Sequence, residues 1–133
     1  MKILIVEDDF SSRLLLQNLL APYGECHIAV NGTEAVSAFR TALEGGQPYG
    51  LVCLDIMMPE KDGHAALKEM RALEEAEDIV STQGTKIVMT TALGDIKSVS
   101  SAYDELCDGY LVKPIDKGKL IGLLEELKVL KNR

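Results

Sequence analysis

Apolar residues along this chain fall in short unbroken runs that alternate with longer stretches of helical spacing. The run Ile3-Leu4-Ile5-Val6 meets Glu7-Asp8-Asp9 and stops. Behind it Leu15, Leu16, Leu19 and Leu20 recur at helical spacing, with Ser11 or Ser12 available as a cap and Ala21-Pro22-Tyr23-Gly24 as the stop. Cys26 to Val30 reads as a second strand, Asn31-Gly32 as a turn, and Thr33 to Glu44 as a helix closed by Gly45-Gly46. The third run, Leu51-Val52-Cys53-Leu54, ends at Asp55; a loop from Ile56 to Gly63 carries Pro59, and a helix covers about His64 to Glu77. Asp78 to Thr85 is polar and predicts a long return loop. Lys86 to Thr90 is a fourth strand and Ile96 to Leu106 a helix. Asp108-Gly109 then turns into Tyr110-Leu111-Val112, after which Asp116 caps a last helix from Lys117 to about Leu130.

Strict alternation of strand and helix predicts an α/β fold, because each right-handed crossover lays its helix against a parallel sheet. Unbroken apolar strands fit a sheet covered on both faces. The expected architecture is a doubly wound five-stranded parallel sheet with five helices, in the flavodoxin-like order 2-1-3-4-5. Residues 1–133 read as a single domain with no linker and no output domain, so any output would belong to a separate protein.

A chain of 133 residues buries roughly two thirds of its unfolded surface in one core without staples. The net charge of -7 repels a polyphosphate backbone over most of the surface, which argues against direct nucleic-acid binding. Cys26, Cys53 and Cys107 are odd in number and widely spaced in apolar surroundings, a pattern of small core residues in a reducing compartment. The first apolar run is too short for a signal peptide, and no run approaches membrane-spanning length. A cytoplasmic protein without membrane insertion is expected.

In this strand order the third strand is central, so Asp55 falls between Asp9 at the end of the first strand and Thr91 after the fourth. Strands lie about 4.8 Å apart, so carboxylates at adjoining strand ends repel by roughly 3 kcal/mol per pair at an effective dielectric near 20. Such a site attracts cations. Carboxylate and carbonyl oxygens suit Mg2+, and Lys113 can bring in an ammonium on its long stem. A carboxylate flanked by Mg2+, an ammonium and the Thr91 hydroxyl is arranged to accept a phosphoryl group, with Asp55 attacking in line.

At these residues the chain resembles a response-regulator receiver domain of the stand-alone chemotaxis type, over essentially its whole length. The marks are Asp8-Asp9, Leu54-Asp55-Ile56-Met57-Met58-Pro59 with Asp62-Gly63, Thr91-Ala92, and Gly109-Tyr110-Leu111-Val112-Lys113-Pro114. The resemblance implies that Asp55 is the phosphoacceptor and that Asp9, Asp55 and the Met57 carbonyl hold Mg2+ directly, with Asp8 acting mainly through water. It implies that Lys113 and Thr91 contact the phosphoryl oxygens and that Ala92 keeps the entrance open. The donor is then a phosphohistidine on a sensor histidine kinase or histidine phosphotransfer protein, in a two-component system or phosphorelay. Thr91 and Tyr110 form the switch, and the surface presented to an unknown downstream protein includes Val99, Tyr103 and Tyr110. The implied product is a self-phosphorylating signalling switch, a monomer or weak dimer, whose apolar Met57 and Leu93 predict slow autodephosphorylation.

Each residue also has a plainer reading. Asp8-Asp9 suits a helix cap, Lys113-Pro114 a strand terminator, Asp55 a strand-end turn, Thr91 a loop hydroxyl bonding its own backbone, and Tyr110 a half-buried strand aromatic. His27 and His64 lack a cluster, and Met57, Met58, Met70 and Met89 read as core filler. Three other functions remain open. A haloacid-dehalogenase-like phosphatase wants a second Asp where Met57 stands, a flavin carrier wants a hydroxyl-rich cradle where Glu7-Asp8-Asp9 stands, and a degenerate receiver would act as a phosphorylation-independent interaction module.

Overall fold

Five parallel strands, β1 (Lys2–Val6), β2 (Glu25–Ala29), β3 (Leu51–Asp55), β4 (Lys86–Ala92) and β5 (Gly109–Lys113), form one sheet in the order β2-β1-β3-β4-β5. The computed structural model describes residues 1–58, 61–79, 84–92 and 106–130. Among them lie four α-helices: α1 (Phe10–Leu20), α2 (Gly32–Glu44), α3 (Gly63–Ala76) and α4 (Lys117–Glu126). The helix predicted at Ile96 to Leu106 falls, except for Leu106, outside the described residues, as do Pro59, Leu93, Val99 and Tyr103.

All five residues of β3 are buried because both faces of the sheet are covered. On one face Leu4, Val6, Val52, Leu54, Ile87 and Met89 pack with α2 and α3 through Phe39, Leu67 and Met70. On the other, Ile3, Ile5, Cys53, Val88 and Leu111 pack with α1 and α4 through Leu16, Leu20, Leu120 and Leu124. Alternation along each strand decides which layer a residue joins. Burial pushes the Cys53 thiol up to about 12, so it sits as a protonated core residue.

Besides shifts of a single residue, four boundaries differ from the sequence reading. Asp9, not Ser11 or Ser12, caps α1, its carboxylate accepting from the Ser12 amide at 2.9 Å. Asn31-Gly32 is likewise a helix start instead of a turn, with Asn31 Oδ1 accepting from Glu34 N. β4 continues past Thr90, because Thr91 and Ala92 still pair with Val112 and Lys113, which makes Thr91 a strand residue. The last helix stops at Glu126, where Lys128 takes a φ of 62° and the Val129 amide bonds back to the Leu124 carbonyl.

Two close approaches set Gly63 against the end of β3 and Lys61 against the start of α2. A Cβ on Gly63 would lie 2.3 Å from the Asp55 carbonyl oxygen, and one on Gly32 would lie 2.2 Å from the carbonyl oxygen of Lys61. Only hydrogen fits at either point.

Candidate phosphoryl-acceptor site

The carboxyl ends of β1, β3 and β5 deliver Glu7, Asp55 and Lys113 to one place. Lys113 Nζ stands 2.5 Å from Glu7 Oε1 and 3.3 Å from Asp55 Oδ2. Glu7 is fully buried and Asp55 only 5% exposed. The Glu7 Oε2 atom accepts from the Asp9 amide at 3.1 Å, and Asp55 Oδ1 accepts from the Met57 amide at 3.2 Å.

These contacts set the protonation balance. Burial raises Glu7 above the ordinary carboxyl value; the Lys113 ammonium pulls it down, and the hydrogen-bonded Asp55 adds to the rise. For Lys113, burial works against the ammonium, and Glu7 and Asp55 more than offset it, so its proton is held more tightly than usual. Asp9 goes the opposite way. The Ser12 backbone and hydroxyl bonds hold its carboxyl below the usual range.

Carboxylate oxygens of Glu7, Asp8 and Asp55 lie within 4.8 Å of one another. Three hard oxygen donors converging on one point fit a divalent cation such as Mg2+. Asp9, expected from the resemblance to be a direct ligand, is not in this group, because its carboxylate is committed to the start of α1. The sequence reading passed over Glu7 as a site residue, and the helix that begins at Phe10 is the feature that separates it from Asp9. An Asp directly before a helix is a cap first.

Thr91 is buried, and its hydroxyl donates to the Ala92 carbonyl at 3.3 Å. It shares a sheet face with Tyr110, which packs against the layer of α2 and α3, whereas Asp55 and Lys113 face the other layer. The Lys113-Pro114 peptide is cis. Met57 is 56% exposed, so its side chain is no core filler, whereas Met58, Met70 and Met89 are buried. His27 bonds Tyr49 Oη through Nδ1 at 2.7 Å and faces Glu25, a surface cluster at the opposite end of the sheet.

An open parallel sheet with an acidic pocket and an ammonium at its strand ends defines a doubly wound α/β protein, and the pocket lies at the switch point where such folds take ligands. Over residues 3–125 the chain matches the response regulator receiver domain, and it belongs to that family, a signalling-switch module of two-component systems. It is 34% identical over 127 residues to the probable transcriptional regulator ycf27 of Cyanophora paradoxa, covering 95% of this chain and 47% of that protein. It is 33% identical over 125 residues to the transcriptional regulatory protein ZraR of Escherichia coli, covering 93% of this chain and 25% of that one. The chain thus spans less than half the length of these curated relatives. Among solved structures, a CheY-like receiver domain from Methylobacillus flagellatus superposes with a TM-score of 0.76 at 27% identity, covering 96% of this chain and 98% of that one. Among the described residues no helix is long and apolar enough to cross a membrane.

Proposed function

We propose that Asp55 accepts a phosphoryl group from a phosphohistidine on a sensor histidine kinase or histidine phosphotransfer protein, and that the adduct switches a protein-binding surface. The observation that carries this reading is the Lys113 ammonium held against Asp55 beside two further carboxylates at the strand ends. An Asp55 carboxylate oxygen attacks phosphorus, the P–N bond to the histidine breaks, and the imidazole leaves with its electron pair and takes a proton from solvent. Lys113 moves from carboxylate to phosphoryl oxygens, where its charge offsets the charge that develops.

Asp8, Asp55 and the Met57 carbonyl would hold Mg2+, with Glu7 completing the acidic wall and Asp9 left to α1. Mg2+ bound there supplies positive charge to the phosphoryl oxygens. Thr91 exchanges its weak bond to the Ala92 carbonyl for a phosphoryl oxygen, which draws in the end of β4 and is felt by Tyr110 on the same face. Because Met57 offers no polar group to orient a water, autodephosphorylation is slow. We assign the chain no transcriptional role of its own, since its relatives' names describe proteins it spans only in part.

Incubation with Mg2+ and acetyl phosphate, followed by intact mass, tests the proposal. A labile added phosphoryl group that Asp55→Asn abolishes is the expected result. Absence of an adduct from both acetyl phosphate and a histidine phosphotransfer donor would overturn it in favour of a phosphorylation-independent module.

A further inference from the structure

Thr90 has no part in the mechanism above, yet it pairs with Asp55 across the sheet. The residue is 1% exposed, and its hydroxyl oxygen is buried with no hydrogen-bond partner among the described residues. Leaving a hydroxyl so placed costs stability that valine, of nearly the same shape, would not incur.

Register says what this hydroxyl faces. Asp55 pairs with Thr90, and Ala92 with Lys113. Alternation puts Asp55 on the side of Cys53, Thr90 on the side of Val88 and Lys113 on the side of Leu111, and those three neighbours belong to one layer of the core. The Lys113 ammonium reaches Asp55, on the far side of β4, at 3.3 Å. Its stem therefore crosses β4 on that face, and the β4 side chain there at the level of Asp55 is Thr90. An ammonium has three N–H donors; this one donates to Asp55 Oδ2 and stands in an ion pair with Glu7.

We propose that Thr90 is a positioning residue for phosphoryl transfer: its hydroxyl accepts an N–H bond from Lys113 as the ammonium leaves Glu7, and so holds the charge over Asp55. This rests on Asp55 being the phosphoacceptor. The β4 ladder still fixes the backbone at this point, since the Ile56 amide bonds the Thr90 carbonyl at 3.0 Å, so changing the side chain leaves the strand in place.

The test compares the full chain with its Thr90→Val and Thr90→Ser variants, reading the rate of adduct formation from acetyl phosphate in saturating Mg2+ by intact mass, with melting temperature alongside. Loss of one hydrogen bond to a charged group predicts uptake slowed about tenfold in Thr90→Val. Its melting temperature should equal or exceed that of the wild type, and Thr90→Ser should return the rate to within about twofold. Thr90→Val within about twofold of wild type overturns the inference while leaving Asp55 as acceptor. A serine variant as slow as valine overturns it too, since shape and not the hydroxyl would then matter. A wild-type chain that forms no adduct removes the reading of Asp55 and this inference together.

Discussion

Glu7, Asp8 and Asp9 follow one another in the chain, and the backbone gives each carboxylate a different neighbour. Glu7 turns inward to Lys113, Asp8 stays exposed beside Asp55, and Asp9 closes the first turn of α1. The resemblance alone selected Asp8-Asp9 as the metal pair. A ligand that binds only the folded chain raises its stability, by about 2.7 kcal/mol at a hundredfold excess over Kd. The melting temperature should therefore rise in Mg2+ for the wild type and equally for Asp9→Asn, whereas Asp8→Asn loses most of the rise. Equal loss in both variants would return Asp9 to the metal. Glu7 predicts a pH effect. Its folded carboxyl is raised above 4.5, so what it contributes to stability is present below that value and is lost as the pH rises through the folded value. Without Mg2+, Glu7→Gln should therefore melt a few degrees above the wild type at pH 7, with the difference closing toward pH 4. Thermal melts across that range check it.

α3 ties the site to the opposite end of the sheet. It begins where Gly63 lies against Asp55, and two turns on it carries Arg71, 8% exposed. Arg71 Nε donates to the Leu106 carbonyl at 2.7 Å, Nη1 to Glu74 Oε1 at 2.7 Å and to the Thr85 carbonyl at 2.9 Å, and Nη2 to Asp108 Oδ2 at 2.9 Å. Asp108 Oδ2 also accepts from the Ile87 amide, and Glu74 Oε2 from the Thr85 amide. One guanidinium thus joins α3 to the first residues of β4 and to the turn that leads into β5. Arg71→Met should cost about 3 kcal/mol, because Glu74 is left buried without its cation and the half-buried Asp108 keeps only Lys86, 4.0 Å away; urea unfolding measures it. A loss below about 1 kcal/mol would mean that water replaces the guanidinium. Leu67, Met70, Arg71 and Glu74 are spaced as one stripe of a helix, so their inward direction was legible. Their partners were not, since Leu106 and Asp108 are distant in sequence.

The whole molecule divides its work between the two faces of the sheet. Glu7, Asp55, Thr90 and Lys113 face the layer of α1 and α4, and Thr91 and Tyr110 face the layer of α2 and α3. The route we propose from an adduct on Asp55 to the other face runs through the last residues of β4, where Thr91 and Ala92 pair with Val112 and Lys113. Beryllofluoride with Mg2+, standing in for the phosphoryl group, should shift the backbone amides of Thr91, Ala92 and Tyr110 while leaving β2 and the end of α2 unchanged. An NMR spectrum unaltered over residues 92–120 would sink the switch.

Periodicity in the sequence by itself determined the five strands, their parallel winding and the presence of Asp55 and Lys113 at strand ends, because burial on both faces demands unbroken apolar runs and puts polar residues where those runs stop. Motif spacing determined the family. Only the tertiary structure decided which of three consecutive acids meets Asp55, because a carboxylate at a strand-to-helix junction has to choose between the pocket and the first amides of the helix, and that choice depends on where α1 begins. It also decided that Thr91 belongs to β4 and that Thr90 pairs with Asp55. Register between strands distant in the chain is a property of packed ladders, and neighbouring residues in the sequence do not carry it.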